Sequence, residues 1–361
     1  MTTINRRDFT GGVLAAAGTS ALAGCGTSEN EYQAILAEMN APLSAKPDTN
    51  DLIRYATLAG NSHNTQAWRF RQSDGAIEIL PDFTRRTPVV DPDDHHLFAS
   101  LGCAAENLSL AARSNGMSGD TGFIADGEGH VAVDLTTGAA EPSPLLAAIA
   151  RRQCSRADYD GRAVATDALD RMVAAAETAG VEPIVITDRA KVEDVVGLVV
   201  AGNTRQMDDA EFRTELKQWL RFNQGAAVAS RDGLWSAASG NPSLPGWLGP
   251  ILFDMTVNTQ GENDKYARQM RSSAGVIVFV GPGDDKAGWV AAGRACQRFA
   301  LQATVEGVAH AFVNQAVEVP EVRGQLQTLL GIGERRPDLI VRFGYGPEMP
   351  RSLRRPVDAV T

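Results

Sequence analysis

Asn61-Ser62-His63-Asn64-Thr65-Gln66-Ala67-Trp68-Arg69-Phe70 crowds short polar amides against an aromatic residue. It follows an apolar run (Ile53, Tyr55, Ala56, Leu58, Ala59) whose spacing predicts the buried face of a short helix. Gly60 lets the backbone come close at the helix end. An amide both donates and accepts hydrogen bonds, so Asn64 and Gln66 suit the mixed edge of a heteroaromatic ring, with Trp68 walling it off. The competing reading is a polar loop that caps the helix and starts a strand at Trp68-Arg69-Phe70.

The chain repeats itself once. Gly102, Ala104, Leu110, Ala112 and Gly116 match Gly293, Ala295, Leu301, Ala303 and Gly307 at one constant offset, and Leu108 pairs with Phe299. Both segments read as helices with small residues on one face, each ended by a glycine. Small residues permit close helix–helix approach, as an interface between two halves requires. The surroundings repeat too: strands are expected at Ile77–Leu80 and Val276–Val280 before the helices, and at His130–Leu135 and Leu339–Phe343 after them. The fold class is therefore α+β in two related halves, not a regular alternation of βα units. Pro142 to Pro144 marks the boundary, giving a first half over 49–144 and a second over 145–361. Within the second, helices are expected over Leu145–Arg152 and Leu169–Ala179, a strand at Ile184–Thr187, and a helix over Leu198–Gln224. Residues 231–263 mix Gly, Pro, Asn and aromatics and read as a covering loop, a lid or a surface excursion.

The first 24 residues read as an address label. Arg6-Arg7 precedes a mild apolar run from Gly11 to Gly24, too short and Gly-rich to span a bilayer. This is the pattern of twin-arginine export, the route for folded proteins. Leu22-Ala23-Gly24-Cys25 resembles a lipobox, so Cys25 is the expected lipidation site, with 25–48 as tether and N-terminal segment. The expectation is an extracytoplasmic, lipid-anchored protein that touches membrane through the anchor alone. A net charge of −10 over 361 residues argues against nucleic-acid partners. Cys103, Cys154 and Cys296 have no short spacing, which argues against a disulfide framework or a zinc site.

Two basic clusters suit an anion. Arg151-Arg152-Gln153-Cys154-Ser155-Arg156 opens the second half, and Arg351, Arg354 and Arg355 follow Gly344-Tyr345-Gly346. Arginine forks bind phosphate oxygens bidentately, and a serine hydroxyl adds a directional donor.

The 61–70 stretch resembles the characteristic loop of the nitroreductase-like flavoproteins, and the repeat resembles their Acg-like branch, in which two halves are fused in one chain. Ala67 stands where that family usually has Pro. The 151–156 segment is similar to the family's Arg-Arg-Ser-x-Arg phosphate motif, with one extra residue and a shifted serine. The resemblance implies a nitroreductase-like fold with FMN between the halves, one per chain. Ser62, His63, Asn64, Gln66, Arg151, Arg152, Ser155, Arg156, Asn314, Gln315, Arg354 and Arg355 are the implied cofactor-binding residues. It also implies an FMN-dependent oxidoreductase passing electrons to a small acceptor, nitroaromatic or quinone, from NAD(P)H or a quinone. A flavin-sequestering protein with a closed lid is the alternative. No side chain is named as general acid or base, because the cofactor carries the chemistry. A fused monomer is expected.

Asp91-Pro92-Asp93-Asp94-His95-His96 has a metal-like composition, but acids ahead of a helix are expected to cap it, so no metal site is assigned. Gly281-Pro282-Gly283-Asp284-Asp285 lacks the Lys-Ser/Thr of a phosphate loop and reads as a turn. No Gly-x-Gly-x-x-Gly follows a strand, so a dinucleotide-binding βαβ domain is not indicated.

Overall fold

The computed structural model describes residues 28–178 and 180–361. Its first sheet follows from alternation. In β1 (Trp68–Ser73) and β2 (Ala76–Pro81), Trp68, Phe70, Ile77 and Ile79 are buried while Arg69 and Arg71 face solvent. Gly75, at φ 71°, turns one strand into the next. With β3 (Thr121–Ile124) and β4 (His130–Asp134) they form an antiparallel sheet in the order β1-β2-β4-β3. The second half supplies β5 (Glu182–Ile186), a short parallel pair β6 (Leu220–Arg221) and β7 (Leu234–Trp235), then β8 (Gly275–Val280), β9 (Ala309–Phe312) and β10 (Pro337–Gly344). Its main sheet runs β5-β8-β10-β9, again antiparallel.

The two four-stranded orders are equivalent. Helix His95–Ser114 separates β2 from β3, and helix Lys286–Val305 separates β8 from β9. The sheets differ in burial. Val276, Val278 and Val280 of β8 pack into one apolar cluster while Ile277 and Phe279 pack into another on the opposite face. A strand covered on both faces needs no polar alternation, which explains why Val276–Val280 is a continuous apolar run and Ile77–Leu80 is not.

The two long helices meet through reciprocal glycines. A Cβ on Gly102 would lie 2.1 Å from the Val290 carbonyl oxygen, and one on Gly293 would lie 1.9 Å from that of Ala99. Val290 precedes Gly293 by the same three positions as Ala99 precedes Gly102, so each helix presses its glycine against the equivalent carbonyl of the other. This is the pseudo-twofold contact that the sequence repeat predicts. Polar groups lock it: buried Glu106 accepts from Arg294 (3.0 Å) and Arg298 (2.8 Å). Gln297 Nε2 donates to Asn107 Oδ1 at 2.8 Å, and Gln297 Oε1 accepts from Gly60 N at 3.2 Å. The seam thus fixes the start of the 61–70 loop.

Several sequence expectations need correction. The helix expected over Leu198–Gln224 is broken at Asp209, whose extended backbone ends helix Arg189–Asp208 and whose carboxylate caps helix Ala210–Trp219; β6 follows. Residues 231–263 are not a plain loop but carry β7, helix Gly249–Thr256 and the start of helix Thr259–Arg271. Within the 25–48 segment, residues 28–39 are helical and bury Tyr32, Ile35 and Met39. The twin-arginine and Cys25 readings lie outside the described residues. No helix among the described residues is long and apolar enough to cross a membrane.

Candidate functional site

The 61–66 loop carries unusual backbone. His63, Asn64 and Gln66 have φ of 47°, 53° and 54°. Left-handed backbone costs a non-glycine residue on the order of 1 kcal/mol, so surrounding bonds must hold it. They do. Gln66 N donates to Asn61 Oδ1 (3.0 Å) and Ser62 N to Ser100 Oγ (3.2 Å). Asn64 Nδ2 donates to the carbonyls of Gly233 (3.1 Å) and Leu353 (3.2 Å), while its Oδ1 accepts from Arg354 at 2.8 Å. Gln66 Nε2 donates to Arg231 O (2.9 Å) and its Oε1 accepts from Arg355 N (2.8 Å).

These bonds overturn one expectation. The Asn64 and Gln66 amides are engaged with backbone and with Arg354, tying the loop to the C-terminal tail, and do not read a ring edge. Trp68 is fully buried in the first-half core rather than walling a ligand. The loop's contribution to open space comes from Asn61, Ser62 and His63.

These three face a cavity of about 340 Å³ between the halves. Its polar wall brings His63, His96, Asn203, Gln206, Gln315 and Glu318 together; Phe212, Leu216, Phe222, Leu252 and Phe253 make an apolar wall. A smaller cleft of about 80 Å³ shares Gly60, Asn61, Arg156, Leu234 and Phe312 with it. Arg152, Arg156, Arg351 and Arg354 line this cleft, and no carboxylate among the described residues does. Arg354 is buried, donating to the Thr57 (2.8 Å) and Ala59 (3.1 Å) carbonyls. Burial, then the Arg152 charge, lowers its pKa to about 9. Cations gathered in a cleft without acids destabilise one another unless an anion joins them. Among the described residues that line the cleft and the cavity, two buried side-chain atoms lack a partner, Arg152 Nε at the cleft and Gln315 Oε1 at the cavity.

The expected site residues therefore divide. Ser62, His63, Arg156, Asn314 and Gln315 line the cavity, and Asn64, Arg152, Arg156 and Arg354 line the cleft. Gln66, Arg151, Ser155 and Arg355 line neither. Arg151 is exposed on the turn after helix Pro144–Ile149, Ser155 Oγ donates to Pro347 O (3.2 Å), and Arg355 bonds the Ala359 carbonyl. Of the two neighbouring arginines, Arg152 and not Arg151 faces the cleft.

Sequence reasoning missed a buried chain behind the polar wall. Asp338 Oδ1 lies 2.8 Å from His95 Nε2, His95 Nδ1 lies 3.1 Å from His96 Nδ1, and His96 Nε2 lies 3.2 Å from Glu318 Oε1. Gln206 Nε2 also donates to Glu318, at 2.6 Å. Asp91 caps the helix as expected, accepting from His96 N (2.9 Å) and Leu97 N (3.0 Å). The two histidines, however, turn into this chain. Burial alone would lower the His96 imidazole, but its hydrogen bond to Glu318 and the charges of Asp91 and Glu318 raise it. Glu318 shifts the opposite way: burial would raise it, and the bond to His96 brings it below its usual value. The two form an ion pair at the cavity wall. Burial pushes Asp338 up to about 7 and His95 well down, which disfavours charge on either partner. Burial likewise holds His63 down at about 4, leaving it neutral. The signal for His95 and His96 was visible in the Asp-His-His run; Glu318 and Gln206 come from helices distant in sequence and gave none.

Cys154, also unassigned from sequence, lines the cleft beside His310 and Arg152. Burial would raise its thiol, but the neighbouring His310 side chain and the Arg152 and Arg156 charges bring it down to about 6. Cys103 and Cys296 are buried and pushed the other way, Cys103 to about 12. Of Cys103, Cys154 and Cys296, iodoacetamide should therefore modify Cys154 first, with a rate that climbs as pH passes about 6. A midpoint near the ordinary thiol value of ~8.5 would contradict this assignment.

No protein-family model matches the chain. Two curated proteins from Mycobacterium tuberculosis strains, both provisionally named NAD(P)H nitroreductase, are 25% identical to it over 340 residues. The match covers 90% of this chain and 94% of theirs. Among solved structures, the chain is similar to the FMN-dependent nitroreductase NfnB from Mycobacterium smegmatis, in complex with NADPH. That match has 15% identity and a TM-score of 0.40, and covers 59% of this chain and 95% of that one. A Desulfitobacterium hafniense nitroreductase with bound FMN matches at 15% identity and a TM-score of 0.39, covering 61% and 98%.

Proposed function

We propose that this protein is an FMN-dependent oxidoreductase of the nitroreductase type, binding one flavin per chain where the two related halves meet. The observation that carries the reading is the acid-free arginine cleft opening into a ligand-sized cavity. A phosphate monoester would complete the Arg152, Arg156, Arg351 and Arg354 cluster, and Arg152 Nε has a free N–H for it. A planar ring reaching into the cavity would offer its imide N–H to the unpartnered Gln315 Oε1. The names of the curated relatives, over nearly their whole length, favour the same chemistry.

Bound there, the flavin would supply two-electron transfer between a nicotinamide donor and a second substrate. The chain's own residues bind, orient and manage protons. Ser62 and neutral His63 border the ring space from the strained loop. His96 holds a proton at Nε2 against Glu318, and the Asp338–His95 pair behind it can return one. The apolar wall of Phe212, Leu216, Phe222, Leu252 and Phe253 suits a flat, weakly polar acceptor of the nitroaromatic or quinone class. Export by the twin-arginine route and anchoring at Cys25 belong to the same proposal, since a flavin loaded in the cytoplasm must cross inside a folded protein.

Stopped-flow mixing of flavin-loaded protein with NADPH is the test. Bleaching of the flavin band, then its return on adding a quinone or nitroaromatic, is the expected result. A yellow protein that NADPH and other reductants leave unchanged would overturn turnover in favour of flavin sequestration. A colourless protein that ignores FMN would overturn both.

A further inference from the structure

The apolar side chains left most open are concentrated on one segment. Trp247 is 75% exposed, Ile251 51% and Met255 76%. Spacing of four residues puts them on a single stripe of helix Gly249–Thr256 and the turn before it. The opposite side of that helix, through Leu252 and Phe253, already roofs the cavity. From Gly233 to Phe253 the sequence has no charged residue, and Asp254 is paired with Lys217 at 2.8 Å. An exposed apolar stripe beside uncharged neighbours marks an interaction surface.

The position of the N-terminal segment identifies what covers it. Glu29 Oε2 accepts from Gln224 Nε2 at 2.7 Å. The adjoining Asn223 Nδ2 donates to Leu244 O at 3.1 Å, and Leu244 N donates to Phe222 O at 2.8 Å. Gly249 sits so close to Phe222 that a Cβ would fall 2.2 Å from the ring's Cγ. Residues 222–224 therefore hold Glu29 and the stripe-bearing segment side by side. Cys25 stands four residues before Glu29 in the sequence, at most about 14 Å of extended chain.

We propose that the Trp247–Ile251–Met255 stripe docks on the lipid bilayer surface that an acylated Cys25 would enter. Acyl chains at Cys25, a reading that rests on the anchoring proposed above, would tether the protein without orienting it, and the stripe adds the contact that fixes its orientation. Trp at a water–lipid boundary and two aliphatic side chains beside it suit the interface. Because the stripe is uncharged and the chain carries −10 overall, a neutral phosphatidylcholine surface is sufficient. Docking then seats the roof of the cavity on the membrane.

The test uses the full chain with Cys25→Ala, so that no acyl chain contributes, mixed with phosphatidylcholine vesicles. Trp68, Trp235 and Trp289 are buried and Trp219 is half-buried, so Trp247 is the most exposed of the five, and the Trp247→Phe comparison isolates its signal. The expected result is a blue shift and quenching by brominated lipid, both lost in Trp247→Phe. Trp247→Ser/Ile251→Ser/Met255→Ser in the same background should float with vesicles at least about tenfold less. All three side chains face outward, so the variant should fold and bind FMN as the parent does. Unchanged Trp emission with vesicles, or equal flotation of the triple variant, overturns the proposal. So does a shift that follows protein concentration without lipid, which would make a second copy the occupant.

Discussion

Gly293→Ala should cost about 3 kcal/mol or more of folding stability, and Gly102→Ala a similar amount, although neither glycine lines the cavity or the cleft. Each methyl would fall within 2.1 Å of a carbonyl oxygen on the partner helix. Neither neighbour is a flexible side-chain tip; both are helix backbone, so the helices must move apart. That separation would loosen Glu106 from Arg294 and Arg298 and break the Gln297 contact with Gly60 N. Overpacking at such a site costs about 1–3 kcal/mol where side chains can give, and more where they cannot. Denaturant unfolding of the two variants checks this. Wild-type stability in both would mean that the close seam is not what joins the halves.

The second large effect is expected at the arginine cleft. Arg152→Met should weaken FMN binding at least about hundredfold, the scale for removing one partner of a buried charge-assisted contact. Its folding should change little, because Arg152 makes one backbone bond, to Leu58 O at 2.8 Å. Arg354→Met should lose comparable affinity and also stability, by about 3 kcal/mol. It strips donors from Thr57 O, Ala59 O and Asn64 Oδ1 together. Flavin fluorescence titrations and melting of the FMN-free proteins separate the two effects. Arg151→Met, on the exposed neighbour, should do neither.

How far the sequence was legible depended on whether a feature was local. The duplicated helices were readable because small residues recur at one offset, and the same spacing creates the reciprocal glycine contact. Strand positions followed from apolar runs, and the difference between Ile77–Leu80 and Val276–Val280 carried real information about one-sided and two-sided burial. The Asp209 break was missed because the residues on either side keep a helical pattern; only the extended backbone at the cap ends it. In the candidate site, the motif marked a loop that lines the cavity through Asn61, Ser62 and His63, while its amides point elsewhere. Asn64 and Gln66 look like ligand readers, yet the left-handed backbone of the loop needs their amides for the tail and for residues 231 and 233. The His96–Glu318 pair and the Cys154–His310 neighbourhood join residues hundreds or scores of positions apart, and nothing in either local sequence announces the partner.

The most direct measurement is a parallel equilibrium titration of the FMN-free protein with FMN and with riboflavin, which lacks the phosphate. The account predicts saturation at one FMN per chain, with riboflavin bound at least about hundredfold more weakly because the arginine cleft stays unfilled. Equal affinity for the two flavins, two equivalents of FMN per chain, or no binding at all would contradict it.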